Sequence, residues 1–303
     1  MLKMENRIVV LIVTYNRIAK LKKCLQAYEN QTKVPFKIVV VDNCSDDGTR
    51  QYLDGWVKSN SSIVKESLHL EYNYGGSGGF YAGMEYIQND VFDWLWIADD
   101  DAYPERDAFE KLESVINENK NCFAICSSVI TKQGIDCNHR QIVDKNNFLG
   151  KPVPKEMYEK NKFSINIFSF VGACINKCVL DQCGLPERDF FIWFDDTEYS
   201  LRVNEKFNII CAPEIRVFHD TIIEKEWKYS WKTYYGERNK LYTLQKHLDK
   251  DTFKAYVCHY RLGMIKHFFT DHRYYLSQRD GYRDFKKGIV GVTEEHLPGK
   301  YKY

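Results

Sequence analysis

The chain has 303 residues, 44% of them hydrophobic, which suffices for one large domain or for one domain with an appendage. Its 43 basic and 42 acidic residues nearly cancel, so the overall charge does not favour nucleic acid as a partner. The apolar run near the N-terminus, about seven residues long, is too short for a secretory signal. No apolar segment reaches the roughly 18 residues of a membrane span. We therefore expect a cytoplasmic protein.

The N-terminal part of the chain predicts a βαβ unit. Residues 7–13 (RIVVLIV) and 37–41 (KIVVV) are β-rich apolar runs typical of strands buried on both faces. Between them, Ile18, Leu21 and Leu25 recur at helical spacing. A helix that connects two strands over this length makes the two strands parallel.

Elements of the same two kinds continue to residue 130. Helices are expected over 49–58 and, after a glycine-rich loop, over 80–88. Buried strands are expected over 94–98 and 122–130, and Pro104 is expected at the first position of the helix between them.

The second half of the chain is less regular. Residues 131–165 are polar and predict loops with short strands, and residues 168–176 predict strand or loop. A helix with an acidic first turn is expected over 195–206. Strands that end at His219 follow it, and then a helix over 227–247.

The charge divides the chain into two parts. Residues 221–303 carry 17 Lys/Arg and 10 Asp/Glu, a net of +7, and 17 of the 45 aromatic residues. The first 220 residues carry a net of −6. The sequence therefore predicts an α/β domain followed by a basic, aromatic and largely helical appendage.

Three of the expected strands end in polar groups. Thr14-Tyr15-Asn16-Arg17 follows the first strand, Asp42-Asn43 the second, and Asp99-Asp100-Asp101 the strand that begins at Trp94. In open α/β sheets, ligands bind beyond the carboxyl ends of the strands. If these strands are parallel neighbours, their ends meet at one edge of the sheet.

The three consecutive aspartates repel one another, and burial would increase the cost. A hard divalent cation such as Mg²⁺ or Mn²⁺ resolves the conflict, because it takes one or two carboxylates and completes its shell with water and phosphate oxygens. Alternation along the strand places Asp99 and Asp101 on one side and Asp100 on the other. The alternative is a solvated acidic turn without a metal.

Two further motifs and one histidine each allow two interpretations. NYGGSGGFYAGM, residues 73–84, has five glycines and is either a ligand-binding loop or a flexible turn. It is neither a dinucleotide fingerprint nor a P-loop. Asp195-Asp196, at a helix start beside aromatic residues, is either a helix cap or a general base beside a sugar-shaped pocket. His219 is a structural histidine or a metal ligand.

Arg238 and Asn239 lie in YYGERNKLY, residues 234–242, on an expected helix. Arg238 either pairs with a phosphate or lies on the surface of a packed helix.

Taken together, these motifs resemble family 2 glycosyltransferases of the GT-A (nucleotide-diphospho-sugar transferase) fold, and among them bacterial galactofuranosyltransferases and their rhamnosyltransferase relatives. The resemblance covers roughly residues 7–245. It implies a mixed, mostly parallel sheet flanked by helices. Residues 1–222 would form the catalytic domain, with the donor side to about residue 130 and the acceptor side after it. Residues 223–303 would form the helical C-terminal region.

The resemblance also implies roles for individual residues. Asp196 would be the general base, with Asp195 beside it. Asp101, His219 and Asp99 would hold Mn²⁺ or Mg²⁺. Trp193, Phe194, Glu198 and Arg238 would bind the acceptor. The donor, a UDP-sugar, would be bound by Thr14, Tyr15, Asn16, Arg17, Asp42, Asn43, Asn73, Gly75, Gly76, Ser77, Gly78, Gly79, Asp99 and Asp100.

The function implied is inverting transfer of galactofuranose onto a cell-surface polysaccharide or a lipid-linked glycan. Transfer from dTDP-rhamnose, UDP-glucose or UDP-galactose is the alternative, and a non-catalytic glycan-binding module is a more remote one. The family usually has Glu-Asp-x-Asp where this chain has Asp195-Asp196-Thr197-Glu198, and many relatives are longer, so acceptor and processivity are not carried over. The basic aromatic C-terminal region suggests peripheral contact with the inner face of a bacterial membrane or simple packing on the catalytic domain. Homo-oligomers are left open.

Overall fold

The first βαβ unit forms as the apolar runs predict. The structure is a computed structural model that describes residues 5–143, 149–222 and 229–300. Strand β1 (Ile8–Thr14) pairs in parallel with β2 (Lys37–Asp42), with Leu11 opposite Val39. It also pairs in parallel with β4 (Trp94–Asp99), with Leu11 opposite Ile97. Strand β1 is therefore enclosed by two parallel neighbours and is buried along its whole length.

Thirteen strands lie in the part of the chain that the structure describes. They are β1 (Ile8–Thr14), β2 (Lys37–Asp42), β3 (Val64–His69), β4 (Trp94–Asp99), β5 (Ala102–Pro104), β6 (Ala124–Thr131), β7 (Gly134–Ile135), β8 (Arg140–Val143), β9 (Gly150–Pro152), β10 (Phe163–Ile165), β11 (Ile167–Phe168), β12 (Ala173–Asn176) and β13 (Ile209–His219).

Nine α-helices are found within the same described ranges. They are α1 (Ile18–Glu29), α2 (Thr49–Val57), α3 (Gly75–Ile87), α4 (Ala108–Glu118), α5 (Lys177–Cys183), α6 (Asp195–Lys206), α7 (Trp231–His247), α8 (Lys250–Thr270) and α9 (His272–Lys286).

Ten strands form one mixed sheet in the order β10-β13-β6-β12-β4-β1-β2-β3, with β5 paired to β13 and β7 to β6. Strands β4, β1, β2 and β3 run parallel, whereas β12 is antiparallel to both β4 and β6. A small antiparallel sheet of β11, β8 and β9 lies apart from it. The mixed, mostly parallel α/β architecture expected from the sequence is confirmed.

Helices cover both faces of the large sheet, because alternate residues of its buried strands point to opposite sides. On β1, Val10 and Ile12 join the cluster packed under α1, α2 and α4. Val9 and Leu11 join the second cluster, under α3 and α6. The carboxyl ends of β1, β2 and β4 consequently lie at one edge, with Thr14 opposite Asp42 and Val13 opposite Asp99.

Three local predictions were wrong. The glycine-rich stretch is not a loop, because α3 already begins at Gly75. Pro104 does not start a helix but ends the short strand β5, and α4 starts at Ala108. The stretch that ends at His219 is one strand, with a shift of register between Ala212 and Arg216.

Glycine was expected to prevent a helix, since each costs about 1 kcal/mol relative to alanine in a helix interior. Packing overrides that cost here. A Cβ on Gly79 would lie 2.5 Å from Val13 Cγ1, and one on Gly83 would lie 2.4 Å from Leu11 Cδ1. The missing side chains therefore let α3 lie directly on β1.

The C-terminal region is helical, as predicted. Helix α7 packs on α9, and a cluster around Leu241, Tyr260 and Phe285 joins α7, α8 and α9. The predicted start of the first of these helices, Trp227, and the boundary at residue 223 lie outside the described residues. Among the residues described, no helix combines the length and the apolar character needed to cross a bilayer.

The close approach of α3 to the sheet can be tested by substitution. We expect Gly83→Ala to lower the free energy of unfolding by about 1–3 kcal/mol, because its Cβ would overlap Leu11 and Val41. Gly55, exposed in α2 with no atom within 4 Å of its added Cβ, is the matched control. Gly55→Ala should be neutral or stabilising by up to about 1 kcal/mol. Urea unfolding measures both, and equal effects would contradict the packing account.

Candidate active site

A cleft of about 480 Å³ opens where β1, β2 and β4 end. It brings together most of the residues singled out in the sequence. Those that line it are Thr14, Tyr15, Arg17, Asn43, Asn73, Gly75, Gly76, Asp99, Asp100, Asp101, Trp193, Asp195, Asp196 and His219. Segments far apart in the chain thus meet at the edge of the sheet where the parallel strands end.

Asp101 is the most strongly paired of the three consecutive aspartates. Lys20 Nζ donates to its carboxylate at 2.9 Å and Arg17 Nη1 at 3.1 Å. His219 Nε2 lies 3.2 Å from the other oxygen. Although burial alone would raise it, the contacts with His219 and Lys20 hold the pKa of Asp101 well below its usual range. Asp101 is therefore ionised at neutral pH.

The side chain of Asp100 lies on the other side of the strand from those of Asp99 and Asp101, as the alternation along the strand predicts. Its carboxylate accepts a hydrogen bond from Thr14 Oγ1 at 2.7 Å and one from Arg17 Nη1 at 3.3 Å. Burial raises the pKa of Asp100 to about 7, against the opposing effect of Arg17. Asp100 thus fixes Thr14 and Arg17 at the end of β1.

Asp99, Asp101 and His219 could hold a metal ion. Each offers a ligand atom, and these atoms lie within 4.8 Å of one another. Among the described residues, His219 Nδ1 is buried without a hydrogen-bond partner, and Asp101 Oδ1 is buried with the His219 ring at 3.2 Å as its neighbour, so a bound cation would satisfy both groups. Two carboxylates suit Mg²⁺ or Mn²⁺, and the imidazole nitrogen suits a transition-metal ion. The residues present therefore fit a divalent cation.

Strand pairing holds the two halves of this cluster in place. Strand β5 directly follows the aspartates, and its Ala102 pairs with His219 at the end of β13. The backbone N–H of Asp220 donates to Asp101 O at 2.9 Å. The histidine is therefore fixed against the acids by the sheet itself and not by a mobile loop.

The second acidic group begins α6. Asp196 Oδ1 accepts hydrogen bonds from Thr197 N at 2.6 Å and from Thr197 Oγ1 at 3.2 Å. Burial raises the pKa of Asp196 to about 6. Burial, together with the charge of Asp196, raises the pKa of Asp195 well above its ordinary value. Burial therefore disfavours ionisation of both acids, and the charge of Asp196 adds to this effect at Asp195.

The backbone before this helix is strained. Phe191, Trp193 and Phe194 all have φ between 65° and 72°, in the left-handed region that side chains disfavour. The Asn239 amide nitrogen donates to the carbonyls of Phe190, Ile192 and Trp193, at 2.8, 3.0 and 2.9 Å. One side chain of α7 thus holds the segment that carries Trp193 and the acid pair.

Glycines on both sides complete this support. Gly75 has φ +71°, and a Cβ there would lie 1.9 Å from the carbonyl oxygen of Phe191. A Cβ on Gly236 would lie 2.7 Å from Cε3 of the Trp193 ring. Trp193 itself is 38% exposed at the cleft.

Two residues expected at the acceptor are buried elsewhere. Glu198 is fully buried and pairs with Arg202, with Lys246 at 2.8 Å and with His247 at 3.2 Å. Arg238 is fully buried as well, and donates to the carbonyls of Gly291 at 2.7 Å and Phe190 at 3.1 Å. Neither lines the cleft, so the structure gives both side chains internal partners in place of the expected acceptor contact.

Six further residues expected around the ligands do not line the cleft. Asp42 is buried and contacts His69 at 3.0 Å. Asn16 accepts a hydrogen bond from Asp46 N at 2.8 Å and so shapes the loop after β1. The remaining four do not line the cleft either, because three lie within the packed turns of α3 and one precedes α6. They are Ser77, Gly78, Gly79 and Phe194.

Sequence reasoning missed several residues that line the cleft. His139 meets His219 edge-on, with ring centroids 5.2 Å apart, and its Nδ1 lies 2.6 Å from Ser169 Oγ. Lys232, in the first turn of α7, faces Asp99 and Asp101 across the cleft. His139 lies in a stretch of the sequence without helical or strand periodicity. Lys232 lies in a predicted helix with many basic residues, and the sequence gives no sign that this particular lysine faces a ligand. Only the fold could place them.

The fold is shared with solved glycosyltransferase structures. The chain matches the crystal structure of GalNAc-T7 with UDP, GalNAc and Mn²⁺ with a TM-score of 0.66 and 14% identity. The match covers 94% of this chain and 56% of the GalNAc-T7 chain. The chain also matches residues 1–349 of Staphylococcus aureus TarS in complex with UDP-GlcNAc, with a TM-score of 0.61 and 13% identity. This match covers 94% of this chain and 82% of the TarS chain. The GT-A fold expected from the sequence is confirmed.

The chain belongs to glycosyl transferase family 2, whose sequence profile matches residues 9–180. Galactofuranosyltransferase GlfT1 of Mycobacterium tuberculosis is 34% identical over 104 residues, which is 34% of this chain and 33% of GlfT1. The match therefore spans about a third of that relative's length. The teichuronic acid biosynthesis glycosyltransferase TuaG of Bacillus subtilis is 22% identical over 76% of this chain and 86% of its own.

The support given by Asn239 can be measured. We expect Asn239→Ala to lower the free energy of unfolding by about 2–4 kcal/mol, because it removes a donor from the carbonyls of Phe190, Ile192 and Trp193 in a strained segment. The Asn117 side chain donates to Glu113 O of α4 and accepts one exposed hydrogen bond from Lys120, so Asn117→Ala should cost less than about 1 kcal/mol. Equal losses in urea unfolding would contradict this role.

The acid cluster predicts an unusual dependence of stability on pH. Burial, and then the charge of Asp101, raise the pKa of Asp99 to about 6, and that of Asp100 is about 7. Without a metal, the folded chain thus binds more protons at these carboxyls than the unfolded chain does between about pH 4 and 7. Their contribution to the free energy of unfolding should rise as pH falls through this window. Thermal unfolding in chelator tests it.

Mn²⁺ should raise the melting temperature at pH 7.5 more than at pH 5, since it relieves the same repulsion. Asp99→Asn should be as stable as the unaltered chain or more stable in chelator at pH 7.5, and should lose the Mn²⁺ effect. Glu118→Gln, an exposed acid on α4, should change neither. If Asp99→Asn gains as much from Mn²⁺ as the unaltered chain, the ion binds elsewhere.

Proposed function

We propose that the protein is an inverting glycosyltransferase that moves a sugar from a UDP-sugar onto a glycan acceptor, and that this sugar is galactofuranose. The observation that supports this proposal most is the meeting of Asp99, Asp101 and His219 with the separate acid pair of α6 in one cleft. Family membership and the partial similarity to GlfT1 support the same chemistry.

In this proposal the donor lies at the ends of β1, β2 and β4. Thr14, Asn43 and Asn73 line the floor where the nucleotide would lie. Arg17 and Lys232 both line the cleft beside the acid cluster, so both can meet the negative charge of the diphosphate. A divalent cation held by Asp99, Asp101 and His219 would act as a Lewis acid for the leaving diphosphate.

Asp196 is the proposed general base. Its Oδ1 is held by Thr197, which leaves the other carboxylate oxygen for an acceptor hydroxyl. Asp196 removes the hydroxyl proton, the hydroxyl oxygen bonds to the anomeric carbon, and the bond from that carbon to the diphosphate breaks with its electrons going to UDP. A single displacement of this kind inverts the anomeric centre. The ring of Trp193 offers a flat surface to the incoming sugar.

The pKa values separate the roles of the two acids. A base must be ionised, and with a pKa of about 6 Asp196 is ionised at pH 7. Burial and the charge of Asp196 raise the pKa of Asp195 well above its ordinary value, which favours Asp196 over Asp195 as the base. We propose that Asp195 holds the geometry of the pair.

Asparagine substitutions distinguish the two acids, because asparagine resembles a protonated carboxyl. Asp196→Asn should lower kcat by about 10²–10⁴-fold with donor binding retained. Asp195→Asn should retain most of the activity. For the unaltered chain, kcat should rise as pH increases through about 6, as Asp196 loses its proton. Steady-state rates of UDP release with a glycan acceptor measure all three. The reverse order of the two variants would move the base to Asp195.

The identity of the sugar needs its own experiment. A panel of UDP-galactofuranose, UDP-galactopyranose, UDP-glucose and dTDP-rhamnose, compared by nucleotide release and by product mass, should give the highest kcat/KM with UDP-galactofuranose. Turnover of dTDP-rhamnose or UDP-glucose alone would retain the proposed chemistry but reject the galactofuranosyl donor.

A further inference from the structure

Helix α8 carries an apolar stripe on its outer side. The stripe consists of Ala255, Cys258, Leu262, Ile265 and Phe269, all exposed. Leu262 is 61% exposed, Ile265 59% and Phe269 79%. Steps of three and four residues place all five on one face of the helix. These apolar side chains are therefore grouped on one surface and not scattered singly.

The stripe is not the face that packs against the protein. Tyr260 is the buried residue of α8, and its hydroxyl donates to Glu237 at 2.9 Å. Phe253 and Met264 pack on the cluster that includes Phe285. Helix α8 is thus apolar both on its packed side and on its solvent side, whereas a surface helix normally has a polar outer face.

The charges beside the stripe have one sign. Lys254 and Arg261 lie along one flank and Lys266 along the other, all exposed. The sequence from residue 252 to residue 270 contains no Asp or Glu. A groove of about 530 Å³ between α8 and α9 adjoins the stripe, and Lys286 adds a fourth cation to its rim.

We propose that the stripe of α8 is a docking surface for an anionic membrane, with the helix lying in the plane of the lipid headgroups. An exposed apolar stripe flanked by Lys and Arg is the pattern by which a helix lies at a bilayer surface. The distance from Ala255 to Phe269 along the helix is about 21 Å. The cations match a surface of anionic lipids.

The same charges argue against a second copy of the chain as the occupant. A symmetric dimer formed on this face would bring Lys254, Arg261 and Lys266 of one copy close to the same cations of the other. With no acid between residues 252 and 270, the stripe offers no compensating charge.

The test uses flotation of the full chain with vesicles of phosphatidylcholine, with and without phosphatidylglycerol. We expect binding to the anionic vesicles at low salt and its loss at about 1 M salt, where the screening length is about 3 Å. Ile265→Glu/Phe269→Glu should abolish binding. Val91, which is 70% exposed and lies between α3 and β4, provides the control. Val91→Glu adds a negative charge at an apolar surface position outside α8 and should leave binding unchanged.

Lys254→Gln/Arg261→Gln/Lys266→Gln should weaken binding to the anionic vesicles by about a hundredfold. Circular dichroism checks that each variant is folded. Three outcomes would overturn the proposal. They are no binding to anionic vesicles at low salt, equal binding by Ile265→Glu/Phe269→Glu, and a dimer in analytical ultracentrifugation that this variant dissociates.

Discussion

Repulsion among carboxyl groups in one cleft is the constraint on which the rest of this structure depends. Asp99, Asp100, Asp101, Asp195 and Asp196 all line the same cleft. In a poorly hydrated site they cannot all be ionised without compensating charge. The protein compensates with cations at Asp101 and with a place for a divalent ion, while burial raises the pKa of Asp99 and of Asp195. In the proposed reaction, a divalent ion bound by these acids would in turn meet the negative charge of the leaving diphosphate.

A second constraint is geometric and comes from the C-terminal region. The acid pair follows three residues with left-handed backbone, and such a segment persists only when its surroundings hold it. Asn239 and Arg238 supply that support through hydrogen bonds to backbone carbonyls. The packing of α7 against the 189–194 segment therefore couples the helical region to the acid pair at the start of α6. The region is more than an appendage.

The sequence predicted what depends on strand pattern and strand ends. Apolar runs gave β1, β2 and β4, and parallel pairing placed Thr14 beside Asp42 and next to Asp99. The alternation of Asp99, Asp100 and Asp101 also followed, because side chains alternate along an extended chain. The approach of His219 to Asp101 was expected from family resemblance, and the structure places them 3.2 Å apart.

What the sequence could not predict depended on packing between distant segments. Glycine propensity suggested a loop at Gly75, but close contact with β1 makes the stretch helical. Arg238 and Glu198 have the side chains of ligand-binding residues, yet both are buried with internal partners. Lys232 and His139 reach the cleft only because α7 and the region before β8 fold over it.

The most direct test of the central claim is a crystal structure with UDP and Mn²⁺, using anomalous scattering at the manganese edge. The account predicts one strong peak about 2.0–2.3 Å from a carboxylate oxygen of Asp101 and from an imidazole nitrogen of His219. The diphosphate should lie on the side of Arg17 and Lys232. A manganese peak away from His219 would contradict the shared metal site. A UDP molecule bound in a place that Asp195 and Asp196 do not line would contradict the single cleft.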